Sequence, residues 1–441
     1  MTYENLNITI IGASKGLGKW IACKLIEDKC NVTITSRNKE HGTQIAKDIG
    51  AKYENDNIKA VSDADIIIFS VPIEIMTETI KTVAPYAPKG SLLVDVTSVK
   101  MEACKALLEY SPEYCEILPC HPMFGPRIPS LEGQVVILTP LENRCNTWYD
   151  RIIRYLKENN TNIVISTPEE HDKTMSVVQG LTHFSYISIA STIKALNISV
   201  KKSREFASPV YSLMLDMISR IVSQNPYLYY SIQKSNNLTS IARNTLIEES
   251  IKLSGYVDND DMDSFVDNMT QSAKHLDEFE EALGRSDKAI SVLTREVKYL
   301  TESIGKEVGL EHQYSHNVHI GIVKDVDAKS VTLNKKTRDV KLKLSNVKVL
   351  SNKEVYQWKK ENLKLHSFDV SVVMNNTCDT DVLLDVLSKI DEVVSVKLID
   401  EYHGEQIEDG EVSLTFNYTT FNKEDKDVVE RYIKGIGGKI R

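Results

Sequence analysis

Residues 6–18, LNITIIGASKGLG, join a short apolar run to a glycine-rich turn. The apolar run is typical of a strand buried in a parallel sheet, and helical spacing of apolar residues follows the turn. Gly12 allows a tight turn, while Gly16 and Gly18 let the backbone and the helix N-terminus approach a pyrophosphate. The spacing GxxxGxG departs by one residue from the commonest dinucleotide-binding turn, so a plain strand–helix turn is the alternative. The residues that we expect to bind a dinucleotide here are Gly12, Gly16, Leu17 and Gly18.

Strand-like and helix-like segments alternate after this turn. The predicted strands are 31–36, 64–72, 91–96, 117–120, 134–139 and 162–166, and the predicted helices are 41–49, 75–83, 101–109 and 144–157. Strands that alternate with helices form parallel sheets with both faces covered. We therefore expect residues 1–166 to form a Rossmann-type α/β domain around one doubly wound sheet.

The end of the second predicted strand reads Thr35-Ser36-Arg37-Asn38. An acidic residue at this place would bind the ribose hydroxyls of NAD, and the four residues include none. A guanidinium with neighbouring hydroxyls suits a 2′-phosphate. Ser36 and Arg37 therefore favour NADP, with NAD as the second choice, unless Arg37 is simply an exposed strand-end residue. Val71 and Pro72, where the strand 64–72 ends, complete the predicted cofactor residues.

The pattern of apolar residues changes after Thr167. Helical spacing, with predicted helices at 172–196, 210–235 and 286–306, indicates an all-α domain at 167–315. A period of two between 316 and 349 predicts a small β-meander, and a charged connector completes a segment at 316–365. The order strand, helix, strand, strand, helix, strand follows, which is the ferredoxin-like plan, and indicates an α+β domain at 366–441.

The composition bounds the class of protein. The 441 residues, 41% hydrophobic and 26% charged, suffice for several packed domains. A net charge of -9 argues against non-specific binding to nucleic acid or to anionic membranes. Seven cysteines without a CxxC pair fit reduced thiols, and neither a signal peptide nor an apolar run of membrane-spanning length is evident. We expect a cytoplasmic protein that forms a homodimer through wide apolar faces of its α domain.

A single imidazole lies in the loop Cys120-His121-Pro122-Met123-Phe124-Gly125-Pro126. Prolines and a glycine cannot continue a helix, and they fix the direction of the backbone. Because the ordinary pKa of histidine lies near neutrality, an imidazole at the mouth of a nucleotide-binding domain suits proton transfer. The sequence therefore indicates His121 as a catalytic base, against the alternative of a structural histidine in a proline-rich loop.

Several motifs, in one order, resemble those of the prephenate dehydrogenase family. They are Val94-Asp95-Val96-Thr97-Ser98-Val99-Lys100, the His121 loop, His171-Asp172-Lys173-Thr174-Met175, Gln179-Gly180-Leu181-Thr182-His183-Phe184, Ser208-Pro209-Val210-Tyr211 and Arg220. The resemblance covers about 6–231, and the string of motifs is more specific than any one of them. It implies an enzyme of tyrosine biosynthesis that oxidises and decarboxylates prephenate to 4-hydroxyphenylpyruvate, with hydride transfer to NAD(P)+.

The same resemblance implies roles for five residues. His121 would accept the proton of the substrate hydroxyl as a neutral imidazole. Ser98 would hydrogen-bond the same hydroxyl and help to orient the histidine. Lys100 and Arg220 would direct positive charge toward the substrate carboxylates, and His183 would line the substrate site.

Each of these residues has a structural alternative. Ser98 could cap the helix that begins near 101, Lys100 could be an exposed first-turn residue, and Arg220 could pair with Asp216. The role of His171 stays open. No metal is implied, because His171, Asp172 and His183 lack a Cys or Glu partner at ligand spacing.

Three other functions remain open from the sequence. Arogenate dehydrogenase carries out the same chemistry on the aminated substrate, and a related enzyme would reduce a 2-keto acid or an imine without releasing CO2. A non-catalytic NADP-binding sensor is the alternative from another class. The tail at 366–441 resembles an ACT-type ligand-sensing domain, which implies tyrosine as a feedback effector, although Asn375-Asn376-Thr377-Cys378 offers no glycine-rich binding turn.

Overall fold

The computed structural model describes residues 3–327, 329–335, 338–404 and 406–441. The chain divides after Phe279 into two compact units. Within the described ranges, no helix combines the length and the apolar character that crossing a membrane requires.

The first part of the chain alternates strands and helices, as the sequence predicts. Its strands are β1 (Asn7–Ile11), β2 (Asn31–Ile34), β3 (Lys52–Tyr53), β4 (Ile66–Phe69), β5 (Leu92–Asp95), β6 (Glu116–Ile117), β7 (Cys120–Pro122), β8 (Val135–Leu138) and β9 (Asn162–Ile165). Its helices are α1 (Gly16–Glu27), α2 (Lys39–Ile49), α3 (Asn57–Ala60), α4 (Ile73–Val83), α5 (Met101–Tyr110) and α6 (Thr147–Glu158).

Six strands form a parallel sheet in the order β3-β2-β1-β4-β5-β6. Both faces of this sheet are buried: Ile66 and Ile68 pack in one apolar cluster, Ile67 and Phe69 in another. Such strands need uninterrupted apolar runs, and each buried aliphatic side chain contributes roughly 1.5–3 kcal/mol. The strand order is the one that binds dinucleotides at the edge where the order reverses, so the predicted Rossmann-type fold is confirmed.

The prediction of one continuous sheet is wrong after β6. Strands β7, β8 and β9 form a separate three-stranded sheet in which β7 runs antiparallel to β8. The strand predicted at 117–120 is split, because Pro119 has no N–H with which to continue the ladder. The split carries His121 into β7.

A helical region follows, as predicted. It contains α7 (Pro168–Met175), a π-helical turn (Ser176–Leu181), α8 (Thr182–Ala195), α9 (Val200–Ser203), α10 (Pro209–Val222), α11 (Pro226–Ser235), α12 (Leu238–Asp258), α13 (Met262–Leu276) and α14 (Phe279–Glu302).

Two of the predicted helices are interrupted. The helix predicted at 172–196 contains the π-helical turn, which places one more residue in the turn than an α-helix holds. The helix predicted at 210–235 is two helices, because Pro226 cannot continue α10 and instead begins α11. Asn225 caps α11 by accepting a hydrogen bond from the Tyr227 N–H at 3.2 Å.

In the second unit, α14 is followed by a five-stranded antiparallel sheet. Its elements are β10 (Glu307–His312), β11 (Val318–Val326), β12 (Ser330–Lys335), β13 (Arg338–Lys343), β14 (Val347–Val349) and the helix α15 (Asn352–Asn362). The strand order is β13-β12-β11-β10-β14, so the predicted meander also takes in β10, which lies before position 316. The connector predicted after the meander holds α15.

The last part of the chain has the predicted order of elements. They are β15 (His366–Asn375), α16 (Thr380–Ser388), β16 (Val393–Tyr402), β17 (Glu411–Thr420), α17 (Asp425–Gly435) and β18 (Lys439–Ile440). The sheet is antiparallel in the order β16-β17-β15-β18, and apolar residues of both helices are buried in its core.

Candidate active site

A crevice of about 1130 Å³ opens where β1 and β4 end. Gly12, at the start of the glycine turn, has φ +90, and a Cβ there would lie 2.6 Å from the Ser70 carbonyl oxygen. Only glycine fits this approach of two strand ends without strain. Gly16 also has a positive φ of 63, and no atom lies within 4 Å of the position that a Cβ would take there, so its backbone is open to a ligand.

Most of the predicted cofactor residues line this crevice. They are Gly12, Gly16, Leu17, Ser36, Arg37, Val71 and Pro72. Gly18 is the exception: it is buried, and its Cβ would lie 2.9 Å from Ser70 Oγ, so it lets α1 pack closely on the strand ends. Lys15 lines the crevice as well and adds a second cation to Arg37.

The opposite wall of the crevice comes from α11, which the sequence does not reveal as part of the site. The residues there are the cap Asn225 and, on α11 itself, Tyr227, Leu228, Tyr230 and Ser231. Helical spacing in a distant segment gives no signal of which strand ends it will face, so only the tertiary fold identifies this wall.

His121 is buried, with 3% of its surface exposed, and forms the end of a chain of side chains. Its Nδ1 lies 2.9 Å from His171 Nε2, and His171 Nδ1 lies 2.7 Å from Asp172 Oδ1. The other ring nitrogen, His121 Nε2, lies 3.3 Å from Gln179 Nε2. The π-helical turn therefore carries a side chain that contacts the predicted base.

The hydrogen-bond partners determine the tautomers of both rings. A carboxylate oxygen only accepts, so His171 carries its proton on Nδ1 and accepts on Nε2. His121 must then donate from Nδ1, which leaves the lone pair on Nε2 to accept from the Gln179 amide. This arrangement presents His121 Nε2 as the proton acceptor of the chain.

Burial and two nearby basic groups favour the neutral imidazole. Burial lowers the pKa of His121 well below its usual value, and Lys100 and His171 add to this effect. A neutral imidazole is the form that a general base requires.

Asp172 joins this chain to the start of α5. Its two carboxylate oxygens accept from the backbone N–H groups of Lys100 at 2.8 Å and Met101 at 3.0 Å. No side chain of α5 itself caps this terminus. A carboxylate at a helix N-terminus interacts favourably with the helix dipole, so Asp172 serves α5 and His171 together.

The prediction that Lys100 contacts the substrate is not supported by its position. The Lys100 side chain is 0% exposed and forms an ion pair of 2.5 Å with Asp95, which is equally buried. Its Nζ also donates to the Cys120 carbonyl oxygen at 2.8 Å, which ties β5 to β7 beside His121. A buried ammonium paired in this way would have to give up its carboxylate to reach a ligand, at a cost of several kcal/mol.

Ser98 is half-buried next to this ion pair. Among the hydrogen bonds of the described residues, none joins the Ser98 side chain to His121, and the capping alternative is not observed either. Its neighbour Thr97 donates its hydroxyl to Asp95 Oδ2 at 2.6 Å. His171, whose role the sequence leaves open, orients His121 instead.

His183 and Arg220 both lie near Tyr229. The rings of His183 and Tyr229 meet edge to face at 4.7 Å, and burial lowers the pKa of His183 to about 4. Burial raises the pKa of Tyr229, and the charge of Arg220 opposes this rise. Arg220 itself is exposed at the end of α10. The alternative pairing with Asp216 does not form, because Asp216 lies 2.7 Å from Arg204.

A second cavity, of about 570 Å³, lies among α8, α10, α11 and α12. Aromatic and cationic side chains share its wall, among them Phe184, Tyr229, Lys234 and Arg243. Cations and aromatic rings suit a small anionic molecule with an unsaturated ring.

Comparison with known proteins matches both parts of the first unit. Residues 21–165 match a family model described as the nucleotide-binding domain of prephenate dehydrogenase, and residues 167–271 match a model of its dimerization domain. The chain is 41% identical over 447 residues to a probable arogenate/prephenate dehydrogenase of Methanocaldococcus jannaschii, covering 100% of each. It is 33% identical over 209 residues to the T-protein of Haemophilus influenzae, covering 47% of this chain and 54% of that protein.

A solved structure agrees in fold. The prephenate dehydrogenase of A. aeolicus, in complex with hydroxyphenyl propionate and NAD+, has a TM-score of 0.50 and 20% identity, covering 62% of this chain and 98% of that chain.

The parallel sheet, the glycine-turn crevice and the buried histidine chain define an oxidoreductase with a dinucleotide-binding domain. The two matched family models and the full-length relative identify it further. The chain belongs to the prephenate dehydrogenase family.

Proposed function

We propose that this protein is an NADP-linked prephenate dehydrogenase, which oxidises and decarboxylates prephenate to 4-hydroxyphenylpyruvate. The observation that carries the proposal is the chain from Asp172 through His171 to His121, which leaves a neutral Nε2 as proton acceptor. The family models and the relatives named above support the same reaction.

The protein's own part in this reaction is proton transfer. His121 Nε2 takes the proton of the ring hydroxyl, and the positive charge that forms is stabilised through His171 by the Asp172 carboxylate. Before the reaction, burial and the charge of Lys100 lower the pKa of His121 and so favour the neutral imidazole. Ser98 is proposed as a hydrogen-bond partner of the substrate hydroxyl once substrate is bound.

The residues of the crevice fit a nicotinamide dinucleotide. Gly12 leaves no room for a side chain, and Gly16 and Leu17 continue the turn beneath the open crevice. Bound there, the nicotinamide supplies the hydride acceptor. Arg37, Ser36 and Lys15 offer two cations and a hydroxyl for a 2′-phosphate, which favours NADP over NAD.

We propose that Arg220 and His183 contribute to the substrate site. Arg220 has no competing ion pair with Asp216, so its guanidinium is available for a carboxylate. Both residues lie near Tyr229, which lines the 570 Å³ cavity. Arogenate is the second candidate substrate, because the M. jannaschii relative carries both names.

Several further proposals concern the whole chain. The sheet order β16-β17-β15-β18 with its two helices supports an ACT-like ferredoxin domain at 366–441, with tyrosine as effector. The matched dimerization model supports a homodimer. The domain bounds 1–166, 167–315 and 316–365, and the cytoplasmic location, stay predictions.

Turnover with prephenate tests the function directly. We expect CO2 and NADPH to appear in equal amounts, at rates that exceed those with arogenate. A higher rate with arogenate would mean that arogenate, and not prephenate, is the preferred substrate. Cofactor binding without turnover on either substrate would favour a nucleotide sensor, and reduction of a 2-keto acid or an imine without CO2 would indicate a different oxidoreductase.

A further inference from the structure

The corner between α11 and α12 packs on the π-helical turn that carries Gln179. We call Gln233, Asn236, Thr239 and Arg243 the α11–α12 corner. Gln233 Nε2 donates to the Gly180 carbonyl oxygen at 2.7 Å, and Asn236 Nδ2 donates to the Asp172 carbonyl oxygen at 2.6 Å. The corner therefore holds the backbone at both ends of the segment that leads from Asp172 to Gly180.

The Gln233 amide has one orientation. Arg243 Nη1 donates to Gln233 Oε1 and to the Gln233 carbonyl oxygen, both at 2.9 Å, and arginine cannot accept a hydrogen bond. The amide oxygen must therefore face Arg243, which leaves the amide nitrogen for Gly180. Thr239 Oγ1, 3.2 Å from the same Arg243 nitrogen, completes the arrangement.

The contact between Thr239 and Gly180 is close. A Cβ on Gly180 would lie 2.7 Å from Thr239 Cγ2, so the π-helical turn and α12 approach each other as only glycine allows. A π-helical turn is wider than an α-helical one and is held by fewer standard hydrogen bonds, so its geometry depends on such outside contacts. Its register determines where Gln179 points.

We propose that Gln233, held by Arg243, is a positioning residue for proton transfer, because it holds the π-helical turn so that the Gln179 amide donates to His121 Nε2. This inference rests on the proposed function for its catalytic meaning. The donated hydrogen bond stabilises the neutral imidazole and keeps its acceptor nitrogen directed away from His171.

Other groups around His121 also act on its protonation. Lys100 faces it from the start of α5 and His171 from α7, and Asp95 and Asp172 are bound to these two residues. Gln233 is neutral, and its hydrogen bonds go to Gly180, Thr239 and Arg243. Replacing it by a neutral residue therefore adds or removes no charge.

The experiment is an NMR titration of the His121 imidazole in the full-length protein without substrate. We expect Gln233→Leu, which removes the donor without changing charge, to raise the pKa of His121 by about one unit, the size of one lost hydrogen bond. Gln271→Leu, an equal change on exposed α13, should leave it unaltered. The acid limb of kcat/KM should move upward by the same amount in Gln233→Leu.

A second variant tests the same geometry without removing a polar group. Gly180→Ala should raise the pKa of His121. The added methyl group would push Thr239 away from the turn, and the turn would then no longer hold the Gln179 amide on His121 Nε2. Adding Thr239→Ser removes Cγ2 but keeps the hydroxyl, and should restore most of the original titration. This rescue would assign the change in the His121 titration to the contact between Gly180 and Thr239.

An unchanged His121 titration in folded Gln233→Leu and Gly180→Ala would overturn the inference. The titration requires no turnover, so a protein that fails to oxidise prephenate would remove the proposed function while leaving the positioning by Gln233 intact.

Discussion

Among single residues, His121 links the most observations in this protein. Its imidazole is buried, and Asp172 determines its tautomer through His171. Its unprotonated Nε2 accepts a hydrogen bond from the Gln179 amide. Such a histidine accepts a proton without first losing one, because burial and Lys100 already favour the neutral form.

Replacing His121 by asparagine should remove the base while keeping a side chain of similar polarity. Since a positioned general base contributes roughly 10²–10⁴-fold, we expect kcat to fall by that factor with the KM for prephenate nearly unchanged. Steady-state kinetics at saturating NADP+ measure both. A loss of less than about tenfold would assign the proton to another acceptor.

The position of Arg37 in the crevice leads to a prediction about the preference for NADP+ over NAD+. Arg37→Ala should lower kcat/KM for NADP+ by roughly tenfold or more, because one charge-assisted contact to the 2′-phosphate is lost, and should change NAD+ little. Arg127→Ala, which removes a cation outside the described crevice lining, is the matched control. An unaltered ratio of the two cofactors would refute the assignment of Arg37.

His183 makes a prediction about stability. Its pKa is about 4 in the folded chain, and an unfolded histidine titrates near 6.5, so below pH 6.5 the unfolded state binds more protons. The contribution of His183 to the free energy of unfolding is therefore complete above pH 6.5 and is lost as the pH falls toward 4. We expect the free energy of unfolding, measured with urea, to fall less between pH 7.5 and pH 5 in His183→Phe than in the unaltered protein. The exposed His275→Phe should retain the full loss.

Two elements at the candidate site depend on partners outside themselves. Helix α5 begins without a cap of its own and receives the Asp172 carboxylate from α7. The π-helical turn is held by α11 through Gln233 and by α12 through Thr239, both at Gly180. Both elements contact His121 or one of its partners, so packing between helices positions the proposed base.

The geometry of the glycine turn between β1 and α1 leads to a prediction about stability and cofactor binding. Gly12→Ala should destabilise the protein by roughly 1–3 kcal/mol and weaken cofactor binding, because φ is +90 and the new Cβ would lie 2.6 Å from the Ser70 carbonyl oxygen. Gly50→Ala is the control, since its φ is +80 but nothing lies within 4 Å. Thermal unfolding and NADP+ titration compare the two variants. Equal losses of stability in the two variants would mean that the positive φ alone, and not the approach to Ser70, explains the destabilisation.

For the whole molecule, the helical region leaves much apolar surface uncovered in a single chain. Helix α8 is apolar on average, yet none of its residues is buried. A helix that is apolar on most sides needs a partner, and the region matches a dimerization model.

We therefore expect light scattering to give twice the 49.8 kDa mass of one chain. Ile189→Asp, on α8, should shift the protein toward the monomer, because a carboxylate cannot be buried unpaired in an apolar interface. Ile399→Asp, on β16 in the second unit, should leave the mass unchanged. A monomer in the unaltered protein, or the same shift in both variants, would contradict an interface at α8.

Much of the fold follows from local patterns in the chain. The apolar run before Gly12 and the glycine spacing predict β1, the turn and α1, because strand burial and positive φ depend on nearby residues. The same holds for the order of elements after 366. A rigid proline-flanked loop marks His121 as the candidate base, and that role stays a prediction.

The surroundings of His121 depend on contacts between distant segments, which no local pattern encodes. Asp172 reaches the N-terminus of α5 across 72 positions, His171 reaches His121 across 50, and Gln179 reaches it across 58. Packing also removes Lys100 from solvent and pairs it with Asp95, although its sequence context is that of an exposed first-turn residue. Residue type and spacing indicate which groups are capable of the chemistry, and the packing of α5, α7 and the π-helical turn selects which of them meet.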